Sequence, residues 1–385
     1  MPKLELGAVV AVAQRVAETT VAAEAPLVDR EARWPEASLK ELQRELGGLV
    51  VDERLGGLGH GLLAVARVGE IVGRHCASTS ICFGMHLVAS AVVGAKATAR
   101  QEQEYLRPIA AGEHLSTLAF SEPGTGSEFW LPQCRLHSDG DIFRVTGTKS
   151  FVTNATHADS YVLNLVRAAS PTAPGSFSVA VLDARTPGLE WGPPWHGFGM
   201  RGNDSRSLRL HDVPVERSRL LGEEGDEIWY VFNVVAPFFL MAMAGTYLGV
   251  ATAALETARE HLTRRRHTHS GRQLSTHPVL QHRLGSLWAS VERTRRLLYF
   301  AAEEAQSGGP VALPALCSAK AEVAQTVETV TNEAMTLVGG IGYGSDGDLH
   351  RHLRDGRAAH VMSPTTDILR TWVGRALLNE PLLED

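Results

Sequence analysis

From the start of the chain to about Ser116, apolar residues recur at spacings of three and four, the period of a helix that buries one face. The run from Leu4 to Glu24 reads as the first such helix. A second begins at Pro35, a proline at a first-turn position, continues through SLKELQREL and is ended by Gly47 and Gly48. Leu62 to Val72 and Thr79 to Val93 repeat the pattern, with the small polar run CASTS breaking between them. From about Leu118 to Leu221 the period drops to two in IFRVTG, YVLNLV, FSVAVLD and SLRLHDV. These runs are bounded by turn signals at Asp139-Gly140-Asp141, Pro174-Gly175 and Pro187-Gly188, which predicts an all-β domain. Beyond Glu223 the helical period returns in long runs: Trp229 to Arg266 with Pro237 as a candidate kink, Pro278 to Gln306, and Pro314 to Val338. Long runs with few breakers suggest a helical bundle. The predicted architecture is mainly α with a central all-β domain: an N-terminal helical domain over 1–116, a β-barrel-like middle domain over 117–222 and a C-terminal helical bundle over 223–385.

A chain of 385 residues supports two or three such domains around a large core. Its net charge of -6 argues against nucleic acid as a partner, because binding a phosphate backbone needs a basic field. Cys76, Cys82, Cys134 and Cys317 are scattered without CxxC spacing, so neither a metal site nor a disulfide framework is expected and a reducing, cytoplasmic setting fits. No run reaches about 18 uninterrupted apolar residues and the opening MPKLELGAVV lacks a secretory pattern, so no membrane association is expected. In that setting the sequon Asn154-Ala155-Thr156 reads as accidental.

The candidate chemistry gathers between Leu118 and Asn154. The segment LAFSEPGTGSEF sets Pro123, Gly124 and Gly126 between the hydroxyls of Ser121 and Ser127, leaving backbone N–H groups bare to cradle something phosphorylated. In GTKSFVTN, Phe151 and Thr153 stand at alternate positions of a predicted strand, so a flat ring and a hydrogen-bond donor would face one ligand. An ordinary tight turn before a hairpin fits the same residues. His86, in the helical FGMHLVAS, reads as a packed core residue or as a polar group near the site. The basic run in RRRHTHSGRQL reads as a solvated helix end or as a source of positive charge.

The stretch resembles the acyl-CoA dehydrogenase superfamily, in which a T/S-E-P-x-x-G-S turn and a K-x-W/F-I/V-T-N strand build the flavin side of the active site. MRGNDSRSLRLHDVPV from Met200, LVGGIGYG from Leu337 and LRDGRAAHVMSPTTDIL from Leu353 are similar at family-like spacing, so the resemblance covers nearly the whole chain. It implies bound FAD. Ser121 would meet the pyrimidine edge, Ser127, beside Gly126, the pyrophosphate, Phe151 the ring system and Thr153 the flavin N5; Thr365 would add a contact. Gly339 and Gly340 would let the protein backbone approach the cofactor, although the usual glutamine three residues before the pair is Thr336. In the family an R-x-x-F-G segment reaches FAD across a subunit interface; here its positions carry His267 and Ser270, leaving Arg266 or Arg272 to supply the charge. A homodimer or homotetramer is implied.

The resemblance further implies α,β-dehydrogenation of a thioester of CoA or a carrier protein, with electron-transfer flavoprotein or oxygen as acceptor. The family's base is the glutamate of a Y-E-G-T turn. Here Ser363 and Pro364 stand at its glutamate and glycine, and the alternative glutamate position and its adjoining arginine carry Phe239 and Leu240. The base is therefore absent or relocated, since a serine needs a neighbour to take its proton. His360, three residues earlier and on the same face if the helix continues, and Asp367, four residues later, are the candidates. The backbone N–H of Ser363 would still polarise a thioester carbonyl. A flavin-dependent monooxygenase or oxidase on the same scaffold needs no such base and is the alternative; a non-catalytic flavin-binding protein is a third.

Overall fold

The computed structural model describes residues 4–169, 177–345 and 347–383; the predicted Pro174-Gly175 turn lies outside them. The N-terminal region is helical: α1 (Leu6–Val16) and α2 (Ala22–Arg30) joined by a π-helical turn, then α3 (Glu36–Leu46), α4 (Leu62–Gly73), α5 (Ala77–Ala95) and the short α6 (Ala99–Gln101) and α7 (Arg107–Ala110). Eight strands follow: β1 (Ser116–Ala119), β2 (Arg135–Asp139), β3 (Ile142–Val152), β4 (Ser160–Arg167), β5 (Phe177–Asp183), β6 (Leu189–Trp191), β7 (Arg206–Glu216) and β8 (Leu220–Leu221). They form one sheet in the order β6-β7-β3-β2-β4-β5-β8, with β1 parallel to β4. The C-terminal region is helical again: α8 (Glu227–Tyr230), α9 (Ala236–Arg264), α10 (Pro278–Gln306), α11 (Ala312–Val338), α12 (Gly340–Tyr343), α13 (Leu349–Val361) and α14 (Thr366–Leu378).

One apolar core runs through both helical regions and a second fills the sheet domain. α4 and α5 pack on α9, and α9 packs on α11. The α4/α9 contact is close enough to exclude side chains: a Cβ at Gly73 would stand 2.5 Å from the Thr246 carbonyl oxygen. Pro237, the candidate kink, lies at the start of α9, where the π-helical turn Val231–Val235 runs directly into it.

Two expectations are corrected. By length and composition, three helical stretches among the described residues, Leu6–Arg30, Ala77–Ala95 and Glu227–Arg264, are apolar enough to cross a membrane. Small and polar residues interrupt their apolar runs without lowering the mean, which is why the uninterrupted-run criterion missed them. In Ala77–Ala95 and Glu227–Arg264, 94% and 83% of the 18-residue apolar window is buried inside the protein, as in core helices, against 28% in Leu6–Arg30. The strand alternation at Phe151 also fails. The β3/β7 register shifts between Lys149 and Val152, and Phe151 takes a left-handed φ of 55°. This bulge turns the Phe151 ring outward while Thr153 is buried.

Candidate functional site

A cavity of about 730 Å³ opens where α5, the end of β3, the start of α9 and the end of α13 converge. Ser121, Gly126 and Ser127 line it from the glycine turn, Phe151 and Thr153 from the bulged strand end, Phe239 from α9 and Ser363 from the link after α13. The bulge thus brings to one cavity the two residues that simple alternation was expected to align.

The turn is held from behind by charge. Glu122 and Lys149 form a fully buried ion pair. Glu122 also accepts from the backbone N–H groups of Gln133 at 2.7 Å and Cys134 at 3.1 Å, while Lys149 Nζ donates to the carbonyl and side-chain oxygens of Asn164 at 2.6 and 2.8 Å. Asn164 in turn donates to the Phe129 carbonyl and to Glu227 Oε1. Burial pushes the Glu227 carboxyl up to about 8, and its Oε2 has no hydrogen-bond partner. One cation thus serves two buried carboxyl groups, and the protonated form of Glu227 leaves this cluster neutral. The Ser150 N–H donates to the Ser121 carbonyl at 2.7 Å, which ties the turn to the strand.

The far end of the strand is pinned as firmly. The Thr153 hydroxyl lies 3.0 Å from that of Ser205. Asn154, left-handed at φ 62°, accepts from Trp34 Nε1 at 3.0 Å and donates to the Cys82 carbonyl at 2.9 Å. Its buried amide is therefore occupied by structure, as the accidental reading of the sequon requires. His86 is also structural: its Nδ1 accepts from the Ser116 N–H, its Nε2 donates to the Gly47 carbonyl, and burial pushes it down to about 4. All four cysteines are buried and free.

The catalytic candidates are not brought together as a shared helix face would bring them. α13 ends at Val361, so Ser363 leaves the helix before it can stack on His360. His360 instead faces Thr366 at 3.1 Å and Glu328 at 3.3 Å, and burial lowers its pKa. The Ser363 hydroxyl donates to the Ser127 carbonyl at 3.1 Å, and Asp367 is exposed in the first turn of α14. Among the described residues the only carboxylate lining the cavity is Glu122, already occupied by Lys149. Leu240 is buried in the bundle core.

The remaining cofactor candidates lie away from this cavity. Thr365 stands at the N-cap position of α14 without a side-chain capping bond; Gly339, at φ 71°, and Gly340 are exposed at the end of α11; Arg266 lies in an exposed loop, bonded to the Gly271 carbonyl at 3.3 Å. Sequence reading missed the cavity walls supplied by Met85, Trp195 and Val235, which come from separate segments with no shared motif, and gave no role to Phe129 and Met200, which end and open two of the stretches it had singled out.

FAD fits the turn and strand. Gly124 and Gly126 are left-handed, at φ 87° and 55°, and a Cβ built on either meets no atom within 4 Å, so the bare turn faces open space. The Phe151 ring presents 65% of its surface beside it and stands edge-on to Trp195 at 6.0 Å.

The family models for the N-terminal, middle and C-terminal domains of acyl-CoA dehydrogenase match residues 5–113, 117–213 and 238–378. The mitochondrial short-chain specific acyl-CoA dehydrogenase of Bos taurus is 29% identical over 357 residues, covering 91% of this chain and 84% of its own. Butyryl-CoA dehydrogenase from Megasphaera elsdenii shares the fold with a TM-score of 0.91 at 24% identity, over 97% of this chain and 98% of its own. A prolyl acyl carrier protein oxidase shares it with a TM-score of 0.83 at 22% identity, over 97% of each chain. The chain belongs to the acyl-CoA dehydrogenase superfamily, a family of FAD-dependent oxidoreductases.

Proposed function

We propose that this flavoenzyme oxidises the α,β bond of an acyl thioester, carried by CoA or by a carrier protein, without a carboxylate base in its cavity. The observation that carries the reading is the joining of the FAD turn to the thioester corner: Ser363 and Ser127 line one cavity, 3.1 Å apart through the serine hydroxyl. When bound, FAD supplies the hydride acceptor. Ser121, Ser127, Gly126, Phe151 and Thr153 hold and orient it, with Thr365 and, from a neighbouring subunit, Arg266, Gly339 and Gly340 completing its surroundings. Met85, Phe120, Phe129, Val235 and Phe239 exclude water from the acyl chain. The Ser363 N–H polarises the thioester carbonyl and so acidifies the α-carbon. The Ser363 hydroxyl, spent on a carbonyl acceptor and without a His360 contact, is not the base. Asp367, exposed, reaches the α-carbon no better. The enzyme then favours thioesters whose α-hydrogen is already acidic, with electron-transfer flavoprotein or oxygen as the electron acceptor and a homodimer or homotetramer as the assembly.

A cavity whose one carboxylate among the described residues, Glu122, is held in an ion pair favours an oxidase or monooxygenase as the second reading, in which turnover depends on oxygen. Anaerobic mixing with a panel of acyl-CoAs and acyl-pantetheines separates the two. Flavin bleaching without oxygen supports dehydrogenation, and rapid reoxidation in air identifies an oxidase. A flavin that ignores every thioester while turning over oxygen with another reductant overturns the first reading.

A further inference from the structure

Lys320 lies in the middle of α11 with 1% of its surface exposed. A lysine so buried ordinarily has a carboxylate partner, because an isolated ammonium loses its hydration. Among the described residues Lys320 forms no ion pair. Its Nζ donates to the Met362 carbonyl at 3.1 Å and to the Pro364 carbonyl at 2.9 Å, the two peptide groups that bracket Ser363.

That bracketed link has little else to hold it. α13 stops at Val361, with the Met362 N–H still bonded to the Ala358 carbonyl, and α14 takes its first bond from the Thr365 carbonyl, so Ser363 and Pro364 belong to neither helical ladder. Ser363 is anchored on the cavity side through its hydroxyl to Ser127, and Lys320 anchors its flanking carbonyls from the bundle side. We propose that Lys320 is a positioning residue of the thioester site, fixing the Ser363 N–H at the cavity wall by holding the carbonyls on both sides of it. The inference rests on the dehydrogenase reading for its kinetic consequence but not for its geometry. The proton count agrees. A neutral amine has two N–H groups and meets two acceptors, whereas the third proton of an ammonium would find none; burial correspondingly pushes Lys320 down to about 7.

The test is Lys320→Met and Lys320→Gln in the FAD-loaded enzyme. Losing two neutral hydrogen bonds, each worth about a factor of five to ten, loosens the link by at least about tenfold. Hydrogen exchange of the peptide covering 361–366 should accelerate by that factor in Lys320→Met, with FAD content unchanged. With butyryl-CoA as the first probe, the maximal rate of anaerobic flavin bleaching should fall about tenfold while the half-saturating concentration stays within twofold. Lys320→Gln, which keeps an N–H donor pair on a shorter stem, should recover part of both. Wild-type exchange at 361–366 in Lys320→Met overturns the inference even if no thioester reacts. Failure of all thioesters with the wild type, alongside accelerated exchange in the variant, overturns the dehydrogenase reading and leaves the positioning role standing. If Lys320→Met does not fold, Lys320→Leu, which also lacks a donor, carries the decision: exchange and bleaching equal to wild type would refute the proposal.

Discussion

Glu122→Ala removes the carboxylate from a pair whose side chains are 0% and 2% exposed. Three groups lose their acceptor at once: Lys149 Nζ and the backbone N–H groups of Gln133 and Cys134. Lys149 keeps the two Asn164 oxygens but becomes a buried charge without a direct ion-pair partner, with Glu227 reached only through Asn164. Breaking a buried pair from one side costs about 3–5 kcal/mol, and the orphaned N–H groups add about 1–3 kcal/mol each if water cannot reach them. Water entering from the adjacent cavity will relieve part of the second cost, so the expected loss is about 4 kcal/mol. Urea unfolding followed by tryptophan fluorescence measures it, and release of flavin reports the turn separately. The turn should loosen first, so FAD should leave at lower urea than in the wild type. Glu122→Gln, which keeps an acceptor for the backbone, should lose less than Glu122→Ala. Adding Lys149→Met to Glu122→Gln should return much of the loss, since the uncompensated charge is then gone. A loss under about 1 kcal/mol in Glu122→Ala, or strict additivity in the double variant, would refute the account of the pair as the turn's support.

Gly126→Val forces a β-branched residue to a φ of 55° and fills the open side of the turn, so the purified protein should lose its yellow colour while unfolding near the wild-type temperature; the flavin-to-protein absorbance ratio decides. His86 gives an acid-sensitive window. Its folded value near 4 lies below the unfolded value of about 6.5, so between those values the unfolded chain binds more protons and stability falls as pH drops, by up to about 3 kcal/mol. His86→Gln should flatten that slope in unfolding measured from pH 7 to pH 4, at a constant cost from imperfect bonding to Gly47 and Ser116. Ser363→Glu with Pro364→Gly should place a carboxylate at the cavity wall and raise anaerobic flavin bleaching by a thioester, within the range of about 10² to 10⁴ for a general base. Unchanged bleaching would mean that proton removal does not limit the reaction.

Much of the fold was legible because its helices obey one period. Leu62 to Val72 appears as Leu62–Gly73, and Thr79 to Val93 lies within Ala77–Ala95. The sheet was less legible where both of its faces are covered: β4 is buried along nearly its whole length, so its alternation carries no information about which side faces the core. The bulge at Phe151 was hidden for another reason. A bulge is set by pairing with β7, more than fifty residues on, and nothing within KSFVTN announces the extra residue. Its effect on the site was benign, because Phe151, rotated out of the pleat, still borders the cavity that Thr153, just past the strand end, also lines.

The thioester corner was the least legible part, and the reason bears on its chemistry. Placing His360 beside Ser363 assumed that spacing along the chain equals spacing on a helix face, which holds only while the helix lasts. α13 ends one residue after His360, and the contacts that replace the expected pair come from Ser127 and Lys320, each far away in sequence. Every group that holds this link treats it as a neutral object: Ser363 donates to a carbonyl, and a lysine with two matched acceptors needs no charge. A glutamate at 363 reverses one of these relations, since a carboxylate can only accept and would face the Ser127 carbonyl acceptor to acceptor. That repulsion would swing the new side chain away from Ser127, into the cavity where the α-carbon of a substrate would lie, while costing the turn one of its ties. The rate gain expected for Ser363→Glu with Pro364→Gly should therefore come with weaker FAD retention. A gain in rate with FAD binding unchanged would show that the Ser363 to Ser127 bond contributes nothing to holding the flavin turn.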